Sequence, residues 1–389
     1  MDNKLIKGIT WGHSRGITPL VAASQRFNEL NPDTEIQWSK RNLQEFADYP
    51  IEELTGQYDL LIIDHPWVGC AAATGCVLPL DQYLSPEYLQ DQLFYSTGNS
   101  HISYNYNGHQ WALAIDAATP VASYRNDLLQ KNNIPLPQTW MDLIQLAHKG
   151  KVAVPAIPID LLMNFYMFCI AHGQEPFQGS DEVIDARIGI KALATMKELY
   201  SLVDKEMFAL NPINIAELMT STDDYWYCPF AYCYSNYSRT GYAKNLLSYT
   251  DMVSYDGKML RSTIGGTGIS VSASSNHKRK AIEFVQMVTS GPFQASFYVE
   301  HSGQPGHRLA WEDEKANELT HGFFTNILPA MERGYTRPRY NGYLQFQDHA
   351  GDFIHEFLLK GGDPAAVLDE INLLYKKSTA FTFKLEQQL

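Results

Sequence analysis

The feature that most constrains this chain is an alternation of strand and helix patterns along its N-terminal fifth. Lys7–Trp11 and Glu35–Trp38 are typical of strands. Thr18 followed by Pro19 predicts a helix start between them, because Thr is a good N-cap and Pro suits the first helical position. Tyr58–Ile63 is a short apolar run, typical of a strand covered on both faces. This order predicts an open, mostly parallel sheet flanked by helices.

Length and charge narrow the class of protein further. A chain of 389 residues is too long for one ordinary domain, so we expect two. The formal net charge of −13, from 43 acidic and 30 basic residues, argues against a nucleic-acid partner, which would need a basic surface. No apolar run in the sequence reaches the roughly 18 residues of a membrane helix.

The cysteines and histidines do not predict a metal site or a cofactor. Five cysteines are an odd number, which argues against a full disulfide framework, although Cys70 with Cys76 and Cys228 with Cys233 could pair locally. Burial as small apolar side chains is the alternative for all of them, including Cys169. The sequence has no Cys-x2-Cys pair and no His-x3-His pair, which are spacings typical of zinc ligands.

Two segments have the composition of crossings between lobes. His109–Asp116 is typical of a strand after a Gly-containing turn, and Ser262–Ser270 is rich in glycine. A helix-rich section lies between them. A helix from about Lys278 to Thr289 and the loop Ser302–His307 follow the second crossing. The chain is therefore expected to pass from one lobe to the other and back.

Several pieces share the order and spacing of one family. They are Leu20–Pro32 (a helix ending in Phe-x-x-x-Asn-Pro), Tyr58–Asp64, Gly75–Asp81, Trp111–Leu113 with Tyr124–Leu129, Pro137–Leu143, and Gly268–Val271 followed by Ala281–Val285. In this order they resemble the extracellular solute-binding proteins of carbohydrate ABC importers, the family of maltose-binding protein. Pro137–Leu143 is the most specific piece. The resemblance extends over most of the chain.

The resemblance implies an α/β protein with the two-lobed, type II periplasmic-binding-protein-like fold, each lobe a mostly parallel sheet flanked by helices. Residues 1–112 and 268–312 would form lobe 1, and residues 113–267 and 313–389 would form lobe 2, joined by crossing hinge strands. A sugar or sugar-derived solute would bind in the cleft, and hinge closure would present it to the membrane permease of the importer. The protein would then be a monomer without cofactor or enzymatic activity.

The resemblance also implies a periplasmic or cell-surface location. The residues Met1–Lys4 do not begin a signal-peptide pattern. Either such a segment has been trimmed or the protein is cytoplasmic.

The ends of the first and third strands supply the first candidate ligand-binding residues. His13, Ser14 and Arg15 follow the first strand, where they could donate hydrogen bonds to a hydroxylated or anionic solute. Asp64 and His65 end the third strand, and the carboxylate could accept sugar hydroxyls. The alternatives are a surface loop for Arg15 and a helix cap for Asp64.

The crossing segments supply further candidates. Asp116 and Thr119 lie on the first crossing, and a salt-bridged hinge residue is the alternative for Asp116. Gly266 and Thr267 could present backbone amides to the ligand, or serve only as a flexible hinge. Gln304 and Arg308 follow a helix, in a loop that could edge the cleft; the sequence gives them no other signal.

Aromatic stretches supply the remaining candidates. Trp226, Phe230 and Tyr232 lie in an aromatic-rich segment that could stack on sugar rings, or else form a core strand. Asn164 and Tyr166 lie in the apolar stretch Leu161–Ile170, where an aromatic side chain is usually part of the core.

Two other functions stay open. A glycoside hydrolase would need two carboxylates across a sugar, and Asp64 and Asp116 could meet in that way. A metal- or siderophore-binding protein of the same fold would need Tyr, His and acidic side chains converging on one point, and the chain has 23 tyrosines.

Overall fold

The computed structural model describes residues 4–42, 51–179 and 181–386, and the chain divides into two compact units. The first unit comprises Met1–Ala118, Ile264–Glu332 and Arg339–Asn341; the second comprises Thr119–Thr263, Arg333–Pro338 and Gly342–Leu389. Two boundaries lie within a few residues of the predicted 112/113 and 267/268. The chain returns to the second unit near residue 333, whereas the predicted return was at residue 313.

The strands of the described residues are, in chain order, β1 Lys4–Trp11, β2 Thr34–Arg41, β3 Leu60–Ile63, β4 Asn105–Tyr106, β5 His109–Gln110, β6 Leu113–Ala118, β7 Pro120–Tyr124, β8 Tyr227–Tyr232, β9 Ser248–Thr250, β10 Ser254–Tyr255, β11 Lys258–Met259 and β12 Gly265–Val271.

The α-helices of the described residues are α1 Ser14–Leu30, α2 Ile51–Leu54, α3 Val68–Thr74, α4 Pro86–Phe94, α5 Asn126–Lys131, α6 Trp140–Ala147, α7 Pro158–Ala171, α8 Ala186–Tyr200, α9 Pro212–Ser221, α10 Lys278–Thr289, α11 Gly291–Phe293, α12 Arg308–Glu312, α13 Glu314–Leu319, α14 Phe323–Glu332, α15 Tyr343–Lys360 and α16 Pro364–Glu386. None of the helices in these ranges combines the length and hydrophobicity needed to cross a membrane.

The first unit is built on a sheet with the strand order β2-β1-β3-β12-β6. β1 runs parallel to β2 and β3, whereas β12 runs antiparallel to β3 and to β6. The predicted strand–helix–strand start of the chain is therefore confirmed. All four residues of β3 are buried, as expected of a strand covered on both faces.

Helix α1 differs from its prediction at its N-terminal end only. It begins at Ser14 with His13 as its N-cap, so Pro19 lies inside the helix and not at its first position. His is not among the usual capping residues, which is why Thr18 was the better sequence signal. The helix ends at Leu30, before Asn31 and Pro32, which agrees with the predicted Phe-x-x-x-Asn-Pro ending. Phe27 of that piece is buried, and Leu30, the last helical residue, is 57% exposed.

The second unit is built on a sheet with the strand order β8-β7-β9, in which both pairings are antiparallel. The α/β class is confirmed, but a mostly parallel sheet in this lobe is wrong for these strands. The alternation of aromatic residues in β8 predicts a strand but not its direction, because the same pattern fits a parallel and an antiparallel neighbour. Helix α7, buried from Asp160 to Cys169, packs against α8 and α15 and forms much of the core.

Candidate functional site

One edge of the first-unit sheet collects half of the predicted ligand-binding residues. The strand directions bring the carboxyl ends of β1, β3 and β6 to the same edge as the amino end of β12. Sheets of this kind bind ligands beyond the carboxyl ends of their parallel strands. The residues at this edge are His13, Ser14, Arg15, Asp64, His65, Asp116, Gly266 and Thr267. We call it the polar edge.

A buried ion pair joins two of these residues. Arg15, in the first turn of α1, and Asp116, in β6, are each only 3% exposed. The Arg15 Nε donates to Asp116 Oδ2 at 2.8 Å, and its Nη2 donates to Oδ1. Burial raises the pKa of Asp116, and the guanidinium opposes that shift. Because Arg keeps its proton and both carboxylate oxygens face it, the two charges balance each other.

His13 connects this pair to the end of β1. Its Nδ1 accepts a hydrogen bond from the backbone N–H of Arg15 at 3.0 Å, and its ring stacks on Trp11 at 5.6 Å between centroids. Burial, and secondly the nearby Arg15 charge, lower the pKa of His13 to about 4. The imidazole is therefore neutral at pH 7. Ser14 is half-buried beside it as the first residue of α1.

Trp11 is a residue of this edge that the sequence analysis did not select. The Arg15 guanidinium lies 5.5 Å from the centre of its ring. A Cβ on Gly16 would overlap the same ring, so glycine is required where α1 meets the strand end. The available signal was the place of Trp11 as the last residue of a predicted strand that points at the edge.

Asp64 both caps a helix and lies at the polar edge. Its Oδ1 accepts a hydrogen bond from the backbone N–H of His65 at 2.8 Å and lies 3.2 Å from His65 Nδ1. His65 is the first residue of a short 3-10 helix, His65–Trp67. The cap left open by the sequence is therefore present. The Asp64 side chain keeps 16% exposure, whereas His65 is buried edge-on against Tyr104. Of the two, Asp64 is better placed to meet a solute.

Backbone geometry next to Asp116 depends on glycine and on a buried glutamine. Gly266 has a φ of +93°, and a Cβ there would overlap the carbonyl oxygen of Asp116. Thr267 is paired with Asp116 across β12 and β6. Gln304 is fully buried and donates from Nε2 to the carbonyl of Ala117 at 2.8 Å. It thus supports the edge from inside the unit, although the sequence analysis expected a loop at the rim.

Arg308 lies at the start of α12, where its charge is balanced by carboxylates. Its Nε donates to Glu312 at 2.7 Å, and its Nη1 lies 3.0 Å from Glu332. Its backbone N–H donates to the carbonyl of Tyr95 at 2.7 Å. These contacts tie Arg308 to the surface of the first unit, and its role in ligand binding stays a prediction.

In the second unit, candidates meet where β7 begins and β8 ends. Thr119 donates from Oγ1 to the carbonyl of Thr263 at 3.0 Å, and the hydroxyl groups of Tyr232 and Thr263 are 2.8 Å apart. Thr263 also forms a β-bridge with Tyr335, whose ring is 6.5 Å from that of Tyr166. We call these five residues the strand-end cluster. Thr263 and Tyr335 were not predicted, because only the pairing of distant segments brings them there.

Three other candidates of the second unit lie elsewhere. Phe230 is fully buried and packs edge-on against Phe168, and Asn164 donates from Nδ2 to the Tyr200 hydroxyl at 2.8 Å. Both occupy the core, which was the alternative for each of them. Trp226 precedes β8 at the end opposite Tyr232, roughly 20 Å away along an extended strand, where Lys151 lies over its ring.

The described residues contain no group of three or more His, Cys, Asp or Glu side chains that could hold a metal ion. The polar edge instead combines a neutral imidazole, a balanced ion pair and a partly exposed carboxylate. Such a set can exchange hydrogen bonds with hydroxyl groups.

Comparisons with known proteins agree with this fold. The sequence profile of the bacterial extracellular solute-binding proteins matches residues 12–294. Among solved structures, maltose-bound MalE3 of T. maritima is similar with a TM-score of 0.83 and 18% identity, covering 96% of this chain and 99% of that one. A solute-binding protein of Agrobacterium radiobacter in complex with ribitol gives 0.82 and 18%, covering 97% and 99%. The Thermus thermophilus maltotriose-binding protein gives 0.76 and 18%, covering 97% and 100%. The type II periplasmic-binding-protein fold is confirmed.

Proposed function

We propose that this chain, which belongs to the bacterial extracellular solute-binding protein family, is the substrate-binding subunit of an ABC importer for a neutral sugar or sugar-derived polyol. The observation that carries the proposal is the polar edge of the first unit. Side chains from three separate strand ends lie together there, at the place where sheets of this class bind ligands.

The charges of the candidate residues favour a neutral solute. An acidic sugar would need a cation to receive it, and Arg15 and Arg308 are the two arginines among the candidate residues. Arg15 is buried and faces both oxygens of Asp116, while Arg308 pairs with two glutamates. His13 adds no charge at pH 7. The net charge of −13 would also repel an anionic solute.

Hydrogen bonding at the same residues suits hydroxyl groups. Asp64 is partly exposed, and a carboxylate can accept from two hydroxyls at once. The strand-end cluster of the second unit offers the Tyr232 hydroxyl and ring, and sugar C–H faces pack well on aromatic rings. Three similar structures hold maltose, ribitol and maltotriose, which are all neutral and rich in hydroxyls.

The proposal includes solute capture between the two lobes by hinge closure, followed by delivery to a membrane permease. Closure requires that the solute favour the closed state, and hence that it contact both lobes. Small-angle scattering checks this part: the radius of gyration should decrease on saturation with solute. Cells that lack the chain should lose uptake of the same solute. The extracellular location typical of the family belongs to the proposal as well.

A thermal-shift screen tests the ligand class. The protein is first unfolded and refolded to remove any bound solute, then heated with neutral sugars, polyols, sugar acids, amino sugars, amino acids and metal ions. A ligand at 100 times its Kd adds about 2.7 kcal/mol to stability, which is a clear shift. We expect a response to a neutral sugar or polyol. A response confined to sugar acids, amino acids or metals would contradict the proposal.

Arg308→Ala sharpens the distinction between neutral and acidic solutes. Because the Arg308 guanidinium is paired with Glu312 and Glu332, a neutral solute should bind the variant as it binds the parent. Loss of binding in this variant would point to an acidic solute.

A glycoside hydrolase is less compatible with the same residues. That mechanism would need Asp116 as a base, nucleophile or acid opposite Asp64. Both Asp116 oxygens accept from buried Arg15, so using the carboxylate would break a buried ion pair at high cost. Incubation with neutral glycosides should therefore return them unchanged.

A further inference from the structure

Cys70 and Cys76 lie six residues apart in the first unit, on either side of the C-terminal end of α3 and outside the residues assigned to solute binding. Cys70 belongs to α3, which ends at Gly75, where a φ of +63° turns the chain. The Thr74 hydroxyl donates to the carbonyl of Cys70 at 2.8 Å and accepts from the backbone N–H of Cys76 at 3.4 Å. One hydroxyl thus holds the backbones of both cysteines.

The two thiols also differ in acidity and in accessibility. Their mutual hydrogen bond raises the pKa of Cys70 and lowers that of Cys76. Cys70 is buried and donates from Sγ to Glu52 Oε2 at 3.1 Å, whereas Cys76 is only half-buried. Cys76 is therefore the more accessible and the more acidic thiol, which are the properties of an attacking cysteine.

The other possible local pair, Cys228 with Cys233, is too far apart to form a disulfide. Cys228 lies inside the extended strand β8 and Cys233 just beyond its end, and both are buried. Five residues of strand place their Cα atoms roughly 16 Å apart, whereas a disulfide spans at most about 7 Å. Pairing of Cys228 with Cys233, which the sequence left open, is therefore excluded by this strand. Cys169 is buried in α7.

We infer that Cys70 and Cys76 form an intramolecular disulfide in an oxidising compartment, with a low-molecular-weight disulfide such as glutathione disulfide as the oxidant. The family is described as extracellular, and disulfides persist outside the cell. The bond would fix the C-terminal end of α3, a segment that follows directly on the 3-10 helix capped by Asp64. The inference does not depend on the proposed solute.

The reaction proceeds in two exchanges. The Cys76 thiolate attacks one sulfur of glutathione disulfide, and one glutathione leaves as a thiolate that takes a proton from water. Cys70 then gives its proton to Glu52 and attacks the Cys76 sulfur, releasing the second glutathione, which is protonated in turn. The two cysteines lose two electrons and two protons, and the oxidant gains both.

Mass spectrometry of the native full chain tests the inference. The protein is treated with glutathione disulfide, denatured, alkylated and digested with trypsin; the peptide Asn42–Arg125 contains Cys70 and Cys76 and no other cysteine. We expect this peptide to be unalkylated and lighter by two hydrogens, while Cys169, Cys228 and Cys233 are alkylated. Alkylation of both Cys70 and Cys76, glutathione retained on either one, or oxidation of Cys228 with Cys233 would overturn the inference.

Three variants separate the chemical steps. Cys228→Ser is the control and should leave formation of the disulfide unchanged, whereas Cys76→Ser should leave Cys70 alkylated. Glu52→Gln should slow only the second exchange, so the mixed disulfide on Cys76 should persist at least several-fold longer before the same product forms. An unchanged lifetime would remove Glu52 from the mechanism.

Discussion

The first and second units hold their candidate residues in different ways. In the first unit, side chains from β1, β3 and β6 reach one edge, and the buried Arg15–Asp116 pair fixes two of them. In the second unit, Thr119, Tyr166 and Tyr232 belong to the strand-end cluster, although Thr119 and Tyr166 are fully buried there. The other candidates occupy the core or the far end of β8. Residues chosen by their place at strand ends converge; residues chosen for aromatic composition largely do not.

The two units also differ in how they balance the charge of a buried arginine. Arg15 is balanced by Asp116, which is as buried as the arginine itself. Arg125 of the second unit is also buried, but its partners Asp127 and Asp223 are more than half exposed, and it donates further to backbone carbonyls. Loss of a carboxylate should therefore be far more costly at the polar edge.

The largest effect is expected for Asp116→Ala, which would leave the Arg15 charge buried without its carboxylate. Breaking a buried pair in this way costs about 3–5 kcal/mol of unfolding free energy. Urea denaturation measures it, with Asp223→Ala as the matched control, for which about 1 kcal/mol or less is expected because the pair is exposed on one side. Equal effects in the two variants would break the comparison between the arginines.

Acid should destabilise the first unit through its buried histidines. Burial lowers the pKa of both His13 and His101 to about 4 from an ordinary 6.5. The unfolded chain therefore binds more protons between these values, so stability is full above pH 6.5 and is lost as the pH falls toward 4. Each group contributes up to about 3 kcal/mol. Denaturation of His13→Gln across this range should show a smaller loss than the parent; an identical slope would contradict the shift.

Affinity for the solute should fall when the polar edge or the strand-end cluster loses the side chain that is proposed to contact the solute. Asp64→Ala removes a carboxylate acceptor and Tyr232→Ala removes a ring and a hydroxyl, each at a cost of about 1–3 kcal/mol in affinity. Trp226→Ala is the comparison in the same unit, and its distance from Tyr232 predicts a smaller effect. Calorimetric titration with the solute found by the screen measures all three. Unchanged affinity in both Asp64→Ala and Tyr232→Ala would refute the placement of the site.

The smallest effect is expected for Tyr232→Phe. It removes only the hydroxyl that meets Thr263 Oγ1 at 2.8 Å, so stability should fall by about 0.5–1.5 kcal/mol. Thermal unfolding measures this loss. A more stable Tyr232→Phe protein would contradict the hydrogen bond.

Much of the fold could be predicted because local signals and global structure agree. The helix from Lys278 to Thr289 and the buried strand β3 follow directly from their apolar patterns. The start of α1 could not be predicted, since His13 caps it through a contact that no propensity encodes. Strand direction in the second unit also could not be predicted, because alternating burial is the same for parallel and antiparallel neighbours.

The candidate site was predictable where it depends on strand ends and unpredictable where it depends on distant pairing. Asp64 and Asp116 follow from the end of β3 and from the crossing strand. Thr263 meets both Tyr232 and Tyr335 only because three separate segments pair in space. Gln304 lies in a loop, as expected, but its burial could not be predicted, because it depends on a hydrogen bond to Ala117, which is far away in the sequence.

The most direct test of the account is calorimetric titration of refolded protein with the neutral sugar or polyol that gives the largest thermal shift, followed by NMR of the recovered solute. The account predicts saturable binding with one site per chain and a solute returned unaltered. Absence of binding by every neutral sugar and polyol, or recovery of a cleaved product, would contradict it.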